Sequence, residues 1–154
     1  MTRLLVDTML GTLAKWLRAA GFDTAYMPHA RDDRLLQIAE SEGRILLTRD
    51  RGLATRAPPG KSLHVPAADL DGQLRFVIEK LRLEMDAPLS RCLVCNAPLE
   101  TLPKEKARGM VPEGVLEKQS EFWRCPRCDK AYWPGSHHSA MQAKLQAFFG
   151  RSSE

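Results

Sequence analysis

Four cysteines at metal-ligand spacing are the most specific chemical feature of this sequence. They form two CxxC motifs, Cys92-Leu-Val-Cys95 and Cys125-Pro-Arg-Cys128, separated by 29 residues. Two such turns, each directing two thiolates at one ion, predict a tetrahedral zinc site. Four thiolates leave no open position for water, so the predicted Zn²⁺ is structural. A redox pair, two disulfides and an iron site are the alternatives.

Two aspartates that follow short apolar runs form a second group suited to chemistry. Asp7 closes the run 4–6, and Asp50 follows the run 44–47. Both runs are typical of buried strands in a parallel sheet, and the carboxyl ends of such strands border the ligand crevice of open α/β folds. Carboxylate oxygens are the ligands that Mg²⁺ and Mn²⁺ prefer. The sequence therefore predicts an acidic site at this edge.

Asp32 and Asp33 stand in front of a helical pattern and have two possible roles. Aspartate is a favoured N-cap residue because its side-chain oxygen accepts a hydrogen bond from a free backbone N–H. Alternatively, one of the two carboxylates joins Asp7 and Asp50 as a third ligand. The residues by themselves leave both roles open.

Apolar periodicity predicts alternating strands and helices in the first half of the chain. Strands are predicted at 4–6, 22–27, 44–47 and 62–65, and helices at 10–20, 32–42 and 70–81, with Asp69 opening the last helix and a loop after Asp50. This alternation predicts an α/β three-layer sandwich with a mostly parallel sheet. No glycine-rich phosphate-binding motif follows any of the strands, which argues against a nucleotide site.

The composition changes near residues 86–88, and all four cysteines follow this point. We therefore expect a domain at 1–87 and a zinc-bearing module with a C-terminal helix at 88–154. Segment 96–124 is predicted to be a mobile or loosely helical excursion. Ser136 is a suitable N-cap for the final helix.

Bulk properties suit a cytoplasmic protein with an anionic partner. The chain has 154 residues, 44 % of them hydrophobic, and a net charge of +4. No apolar run approaches the roughly 18 residues of a membrane-spanning helix, and we see no signal-peptide pattern. The excess of basic residues is compatible with a polyanion but is only a weak indication.

For several basic and aromatic residues two interpretations are open. Each residue either has a surface or packing role or contacts a nucleic acid. Lys15 and Arg18 fall off the apolar stripe of their predicted helix, so they are either solvated or phosphate contacts. Trp123, Tyr132 and Trp133 either pack the module or stack on bases. His137 and His138 are further candidates for a phosphate or base contact.

Several motifs, taken together, resemble one known family. They are Asp7-Thr-Met-Leu-Gly-Thr-Leu-Ala-Lys-Trp-Leu-Arg18, Asp32-Asp33-Arg-Leu-Leu, Leu47-Thr-Arg-Asp-Arg51, Cys125-Pro-Arg-Cys128 and Tyr132-Trp-Pro-Gly-Ser-His137. The family is the Mut-seven C-terminal RNase domain family, which joins a PIN-like nuclease domain to a C-terminal zinc ribbon. The resemblance spans nearly the whole chain. It implies a PIN-like fold and a metal-dependent ribonuclease.

Carried onto this sequence, the resemblance places Asp7, Asp32 and Asp50 at a Mg²⁺ or Mn²⁺ site, with Asp33 beside Asp32. PIN nucleases commonly use a fourth acidic residue, for which Asp69 and Glu40 are the candidates. The acidic side chains would assist hydrolysis of an RNA phosphodiester bond. Four basic residues would hold the RNA backbone on either side: Lys15, Arg18, Arg49 and Arg51.

Three functional hypotheses follow for this chain. The first is a Mg²⁺- or Mn²⁺-dependent ribonuclease that acts on single-stranded RNA, with the zinc ribbon aiding binding. The second is a non-catalytic RNA-binding or adaptor protein whose aspartates only cap helices. The third is the toxin of a toxin–antitoxin pair, which shares the chemistry of the first. No membrane partner is expected, and the sequence does not specify a protein partner.

Overall fold

A four-stranded parallel sheet forms the centre of the first half of the chain in the computed structural model, which describes residues 2–150. The strands are β1 (Arg3–Val6), β2 (Asp23–Tyr26), β3 (Ile45–Thr48) and β4 (Ser62–His64). They lie in the order β2-β1-β3-β4, and each neighbouring pair is parallel. The strand order reverses between β1 and β3, which is the switch point where α/β folds bind ligands.

Helices cover both faces of this sheet. They are α1 (Gly11–Ala19), α2 (Asp32–Glu42), α3 (Arg51–Arg56) and α4 (Leu70–Leu81). Leu4 and Val6 of β1 pack in one buried cluster with residues of α1 and α4, whereas Leu5 packs in a second cluster with residues of α2 and α3. Alternate strand residues thus point to opposite layers. The predicted three-layer α/β sandwich is confirmed.

Helix α3 lies where the sequence predicted a loop. Only one of its six residues, Leu53, is buried, so the segment shows no apolar periodicity. The helix begins because the Asp50 carboxylate accepts a hydrogen bond from the Leu53 backbone N–H at 3.1 Å. Asp50 is therefore an N-cap as well as a candidate ligand.

The second half of the chain contains a small module that we call the cysteine module (residues 88–135). Its elements are β5 (Glu100–Thr101), α5 (Lys104–Ala107), α6 (Glu113–Lys118), β6 (Trp123–Arg124) and β7 (Ala131–Tyr132). The strands form an antiparallel sheet in the order β5-β6-β7. The segment expected to be loosely helical carries two short helices around a buried cluster that includes Leu102, Leu116 and Phe122.

The last helix, α7 (Ser136–Phe149), returns from the cysteine module to the first half of the chain. Its N-cap is Gly135, one residue before the predicted Ser136. Met141, Leu145 and Phe149 are buried in the same cluster as Leu4 and Val6. The domain division at residue 87 remains a prediction, but its two parts share this core. Within residues 2–150, no helix is both long and apolar enough to cross a membrane.

A buried arginine joins α1 and the open edge of β2 to the first CxxC turn. Arg18 Nε donates to the Thr24 carbonyl at 2.8 Å, and its Nη1 donates to the carbonyls of Leu93 and Val94 at 3.1 Å. Arg18 is only 6 % exposed. The prediction that it lies on the surface is wrong, because the module covers that side of α1.

Asn96, next to the same turn, forms further hydrogen bonds to β2. Its side-chain oxygen accepts from the Thr24 N–H at 3.0 Å, and its Nδ2 donates to Asp23 Oδ1 at 2.7 Å. Burial alone would raise the pKa of Asp23, but hydrogen bonds from Arg44 and Asn96 outweigh it and lower the pKa to about 2. The edge strand is thus held by an ionised, fully hydrogen-bonded cluster.

We expect Arg18→Met to destabilise the protein by about 2–4 kcal/mol, because one buried and two partly buried carbonyls lose their donor. Thermal unfolding with the metal-loaded protein measures the effect. Lys15→Met on the exposed side of α1 is the matched control and should change stability by less than about 0.5 kcal/mol. Equal melting temperatures for Arg18→Met and wild type would contradict this role.

Candidate active site and zinc site

Asp7 and Asp50 lie at the carboxyl ends of the two central strands and are linked by one hydroxyl group. Thr48, the last residue of β3, donates from Oγ1 to Asp7 Oδ2 at 2.7 Å. The same oxygen accepts from the Asp50 N–H at 2.9 Å. Asp7 Oδ1 also accepts from the Thr8 N–H at 2.7 Å. These bonds fix the Asp7 carboxylate at the switch point of the sheet.

Asp32 and Asp33 begin α2 on the far side of β1, after the carboxyl end of β2. The N-cap of α2 is Arg31, whose side chain makes no capping bond, so the N-cap alternative for the two aspartates is wrong. Instead, Arg56 of α3 pairs with both: Nη2 lies 2.7 Å from Asp33 Oδ1, and Nη1 lies 4.0 Å from Asp32 Oδ2. Asp32 and Asp33 remain 52 % and 85 % exposed.

The acidic side chains share an edge without converging on one point. Among residues 2–150, the only group of three or more ligand atoms within 4.8 Å of one another belongs to the four cysteines. Asp69 also lies past the carboxyl end of a strand, β4, but its carboxylate caps α4 by accepting from the Gly72 N–H at 2.9 Å. Glu40 is exposed in the third turn of α2. The identity of a fourth acidic ligand stays a prediction.

The four predicted basic contacts fall in different places. Arg49 and Arg51 are exposed on either side of Asp50, where they border the acidic edge. Lys15 is exposed one turn into α1 and lines a cavity against the cysteine module. Arg18 is buried under that module, and its guanidinium is occupied by backbone carbonyls. We therefore leave Arg18 out of the candidate nucleic-acid contacts.

The four cysteine sulfurs come together in the cysteine module. All four Sγ atoms lie within 4.8 Å of one another. The Cys95 and Cys125 sulfurs are 3.4 Å apart, and those of Cys92 and Cys128 are 4.0 Å apart. A tetrahedral zinc with Zn–S bonds of about 2.3 Å requires sulfurs about 3.8 Å apart. The residues therefore fit Zn²⁺ and could bind it.

The electrostatics of this cluster also suit a cation. Burial alone would raise the pKa of the Cys92 thiol, but hydrogen bonds, first that from the Tyr132 hydroxyl at 3.2 Å, lower it to about 6. The hydrogen bond with Cys95, followed by burial, raises the pKa of Cys128 to about 12. Sulfurs this close cannot all ionise without a positive charge among them, and a bound metal supplies that charge.

Sequence reasoning missed three residues of these sites: Thr48, Arg56 and Tyr132. The position of Thr48, between an apolar run and Asp50, was a usable signal because such hydroxyls bond backbone N–H groups two residues on. No sequence pattern pointed to Arg56, since it lies in helix α3, where the sequence predicted a loop. Tyr132 was noted for stacking, whereas its hydroxyl hydrogen-bonds Cys92 and the Leu93 N–H.

These two sites and the fold define a class: a parallel α/β domain with an acidic carboxyl edge, joined to a four-cysteine module. The chain belongs to the Mut7-C RNAse domain family, whose sequence model matches residues 2–145 and thus nearly the whole chain. The resemblance drawn from the motifs is confirmed. A comparison with curated proteins gave no match.

Proposed function

We propose that this protein is a metal-dependent ribonuclease that hydrolyses phosphodiester bonds of single-stranded RNA in the cytoplasm. The observation that carries the proposal is the pair of aspartates at the switch point, Asp7 and Asp50, tied together by Thr48. The name of the family supplies the substrate class and the nuclease-like activity. The metal dependence rests on the chemistry of the acidic side chains.

In this proposal Asp7, Asp32 and Asp50 hold Mg²⁺ or Mn²⁺, with Asp33 beside them. Such an ion supplies an activated water at neutral pH and stabilises charge on the phosphate oxygens. Asp32 would exchange its 4.0 Å contact with Arg56 for the ion. Within residues 2–150 the side chains of Arg49 and Arg51 form no ion pair, so they could bind phosphates on either side of Asp50 and position the strand without reading its sequence.

Thr48 acts as a positioning residue in this scheme. Thr48→Val should lower kcat by about 10- to 100-fold, as losses of supporting partners of metal ligands do. It should also raise the Mn²⁺ concentration needed for half-maximal activity, which a purely structural role would not change. Thr48→Ser keeps the hydroxyl and should retain activity. Unchanged metal dependence in Thr48→Val would show that the hydroxyl has no such role.

The cysteine module has a structural role in this proposal. Its cysteines would hold one Zn²⁺ in a closed site, and its fold would extend the RNA-binding surface. Reduced, metal-loaded thiols are consistent with a cytoplasmic location.

One observation favours a second function, a non-catalytic RNA-binding or adaptor protein. Arg56 neutralises Asp33 at 2.7 Å and approaches Asp32, so part of the acidic set already has a cation. An adaptor would bind RNA equally well with and without divalent ions.

The test is cleavage of end-labelled single-stranded RNA and DNA by the purified full chain. Reactions contain Mn²⁺, Mg²⁺ or no added divalent ion, after dialysis that leaves the zinc in place. The ribonuclease proposal expects metal-dependent cleavage of RNA that is lost in the Asp7→Asn, Asp50→Asn double variant. If wild type and double variant are equally inert yet bind RNA, the adaptor function replaces the proposal. Equal cleavage by both would indicate a contaminating nuclease and overturn it.

A further inference from the structure

A cavity of about 680 Å³ lies between the cysteine module, α1 and the start of α7. Ligand sites commonly have volumes of about 300–1,000 Å³. Lys15 contributes to one wall, Trp123 and Tyr132 to the second, and residues 135–138 to the third. Val94, which is 62 % exposed, also lines it. Tyr132, whose hydroxyl bonds Cys92, and Lys15, a predicted RNA contact, are the lining residues already described.

The cavity is positively charged. Its lining includes the basic side chains of Lys15, Arg91 and Lys130, and none of the described residues that line it is acidic. Within residues 2–150, neither Lys15 nor Lys130 forms an ion pair. The Lys130 ammonium lies 5.5 Å from the centre of the Tyr132 ring. A partner with negative charge is therefore favoured.

The cavity also presents flat aromatic surfaces. Trp123 and His138 stack with ring centroids 5.8 Å apart and planes 6° apart. Trp133 is held against Gly135 so closely that a Cβ at that position would lie 2.9 Å from the indole nitrogen. Burial lowers the pKa of His138 against the opposing effect of the Glu121 carboxylate, which favours the neutral ring for stacking. Aromatic walls of this kind bind nucleobases without strong preference among them.

We propose that this cavity binds one nucleotide of a single-stranded RNA, with its base against the aromatic wall and its phosphate at Lys15 and Lys130. The proposal rests on the proposed ribonuclease function for the identity of the polymer. It assigns the cavity the role of a strand anchor outside the acidic edge. A lining with basic but no acidic side chains favours phosphate, and flat rings beside those basic groups favour a base over an acidic peptide.

The position of Lys15 connects the anchor to the acidic edge. Helix α1 begins four residues after Asp7, and Lys15 follows its first residue by one turn, which is about 6 Å along the helix axis. A strand held at the acidic edge therefore needs to extend only a short way along α1 to reach the cavity. RNAs too short to span both sites should lose the benefit of the anchor.

The test is binding of a fluorescein-labelled eight-nucleotide RNA to the zinc-loaded full chain, followed by anisotropy without added divalent ion. The double variant Lys15→Gln, Lys130→Gln should bind about 10-fold more weakly at low salt. Its slope of log Kd against log salt should fall by about 0.7, because the two lysines hold one phosphate and each phosphate neutralised on a single strand contributes about 0.7. Lys61→Gln, Lys118→Gln removes two exposed lysines elsewhere and should leave both quantities unchanged.

Two further measurements locate the bound RNA and show whether the cavity prefers an oligonucleotide to a free nucleotide. RNA containing 4-thiouridine should cross-link within residues 123–138, and uridine monophosphate should compete much more weakly than the oligonucleotide. Unchanged affinity and slope in Lys15→Gln, Lys130→Gln would overturn the anchor, as would equal competition by the free nucleotide. If the anchor is confirmed but wild type cleaves no RNA, the ribonuclease function fails alone. Cleavage without the anchor effects would reject only the anchor.

Discussion

Asp50→Asn should lower the rate of metal-dependent RNA cleavage at least about 100-fold while leaving the fold intact. Replacing even an outer partner of a metal ligand costs about 10- to 100-fold, and removing a ligand's charge should cost at least as much. Asparagine caps helices as well as aspartate does, so the bond to the Leu53 N–H survives. The change therefore separates the proposed role of Asp50 as a metal ligand from its role as the N-cap of α3. Single-turnover cleavage and a melting curve on the same sample measure both.

Asp86→Asn, an exposed aspartate in the segment between the two halves of the chain, is the charge-matched control and should retain wild-type activity. Asp69→Asn also keeps a helix cap, and it tests Asp69 as the fourth acidic ligand, since a ligand would lose activity there too. Full activity in Asp50→Asn would remove Asp50 from the site and leave it only as the cap of α3.

Removal of zinc should unfold the cysteine module and lower the melting temperature of the whole chain by about 20 °C or more. Zinc binding to four cysteines contributes about 10–16 kcal/mol to small zinc modules, and each kcal/mol lost shifts a domain of this size by about 2–4 °C. The loss of stability extends to the first sheet because Arg18 and Asn96 connect the first CxxC turn to β2 by hydrogen bonds. Melting curves before and after chelation of the zinc provide the measurement.

The chain has only four cysteines, so it offers no matched cysteine control. Restoring Zn²⁺ should restore the melting temperature, and Mg²⁺ at the same concentration should not. Metal analysis should give one zinc per chain and no iron, with all four thiols reactive only after chelation of the zinc. Disulfides in the freshly purified protein, or an unchanged melting temperature without zinc, would contradict the zinc assignment.

The sequence predicted the two central strands well because β1 and β3 are apolar runs bounded by polar or turn residues. The buried runs of β1 and β3 end close to Asp7 and Asp50, and their parallel pairing brought those residues to the same edge, as expected. Asp69 as the cap of α4 was also predicted and is confirmed. The cysteine cluster followed from spacing alone, since a CxxC turn specifies its own geometry.

What the sequence did not predict depends on contacts between distant segments. Arg18 is buried because backbone carbonyls 75 and 76 residues later in the chain approach it. Asp32 and Asp33 meet Arg56 only because α2 and α3 pack on the same face of the sheet. Helix periodicity describes one element at a time and carries no information about which other element will cover it.

The return of α7 to the first sheet sets an order in which the protein can be made. Met141, Leu145 and Phe149 complete a core that begins with Leu4 and Val6, so a ribosome must finish the cysteine module before that core can close. Until then, the sheet face carrying Leu4 lacks part of its apolar cover, and this exposed apolar surface is prone to aggregation. The nascent chain therefore contains all four cysteines before it contains the complete core of the first sheet.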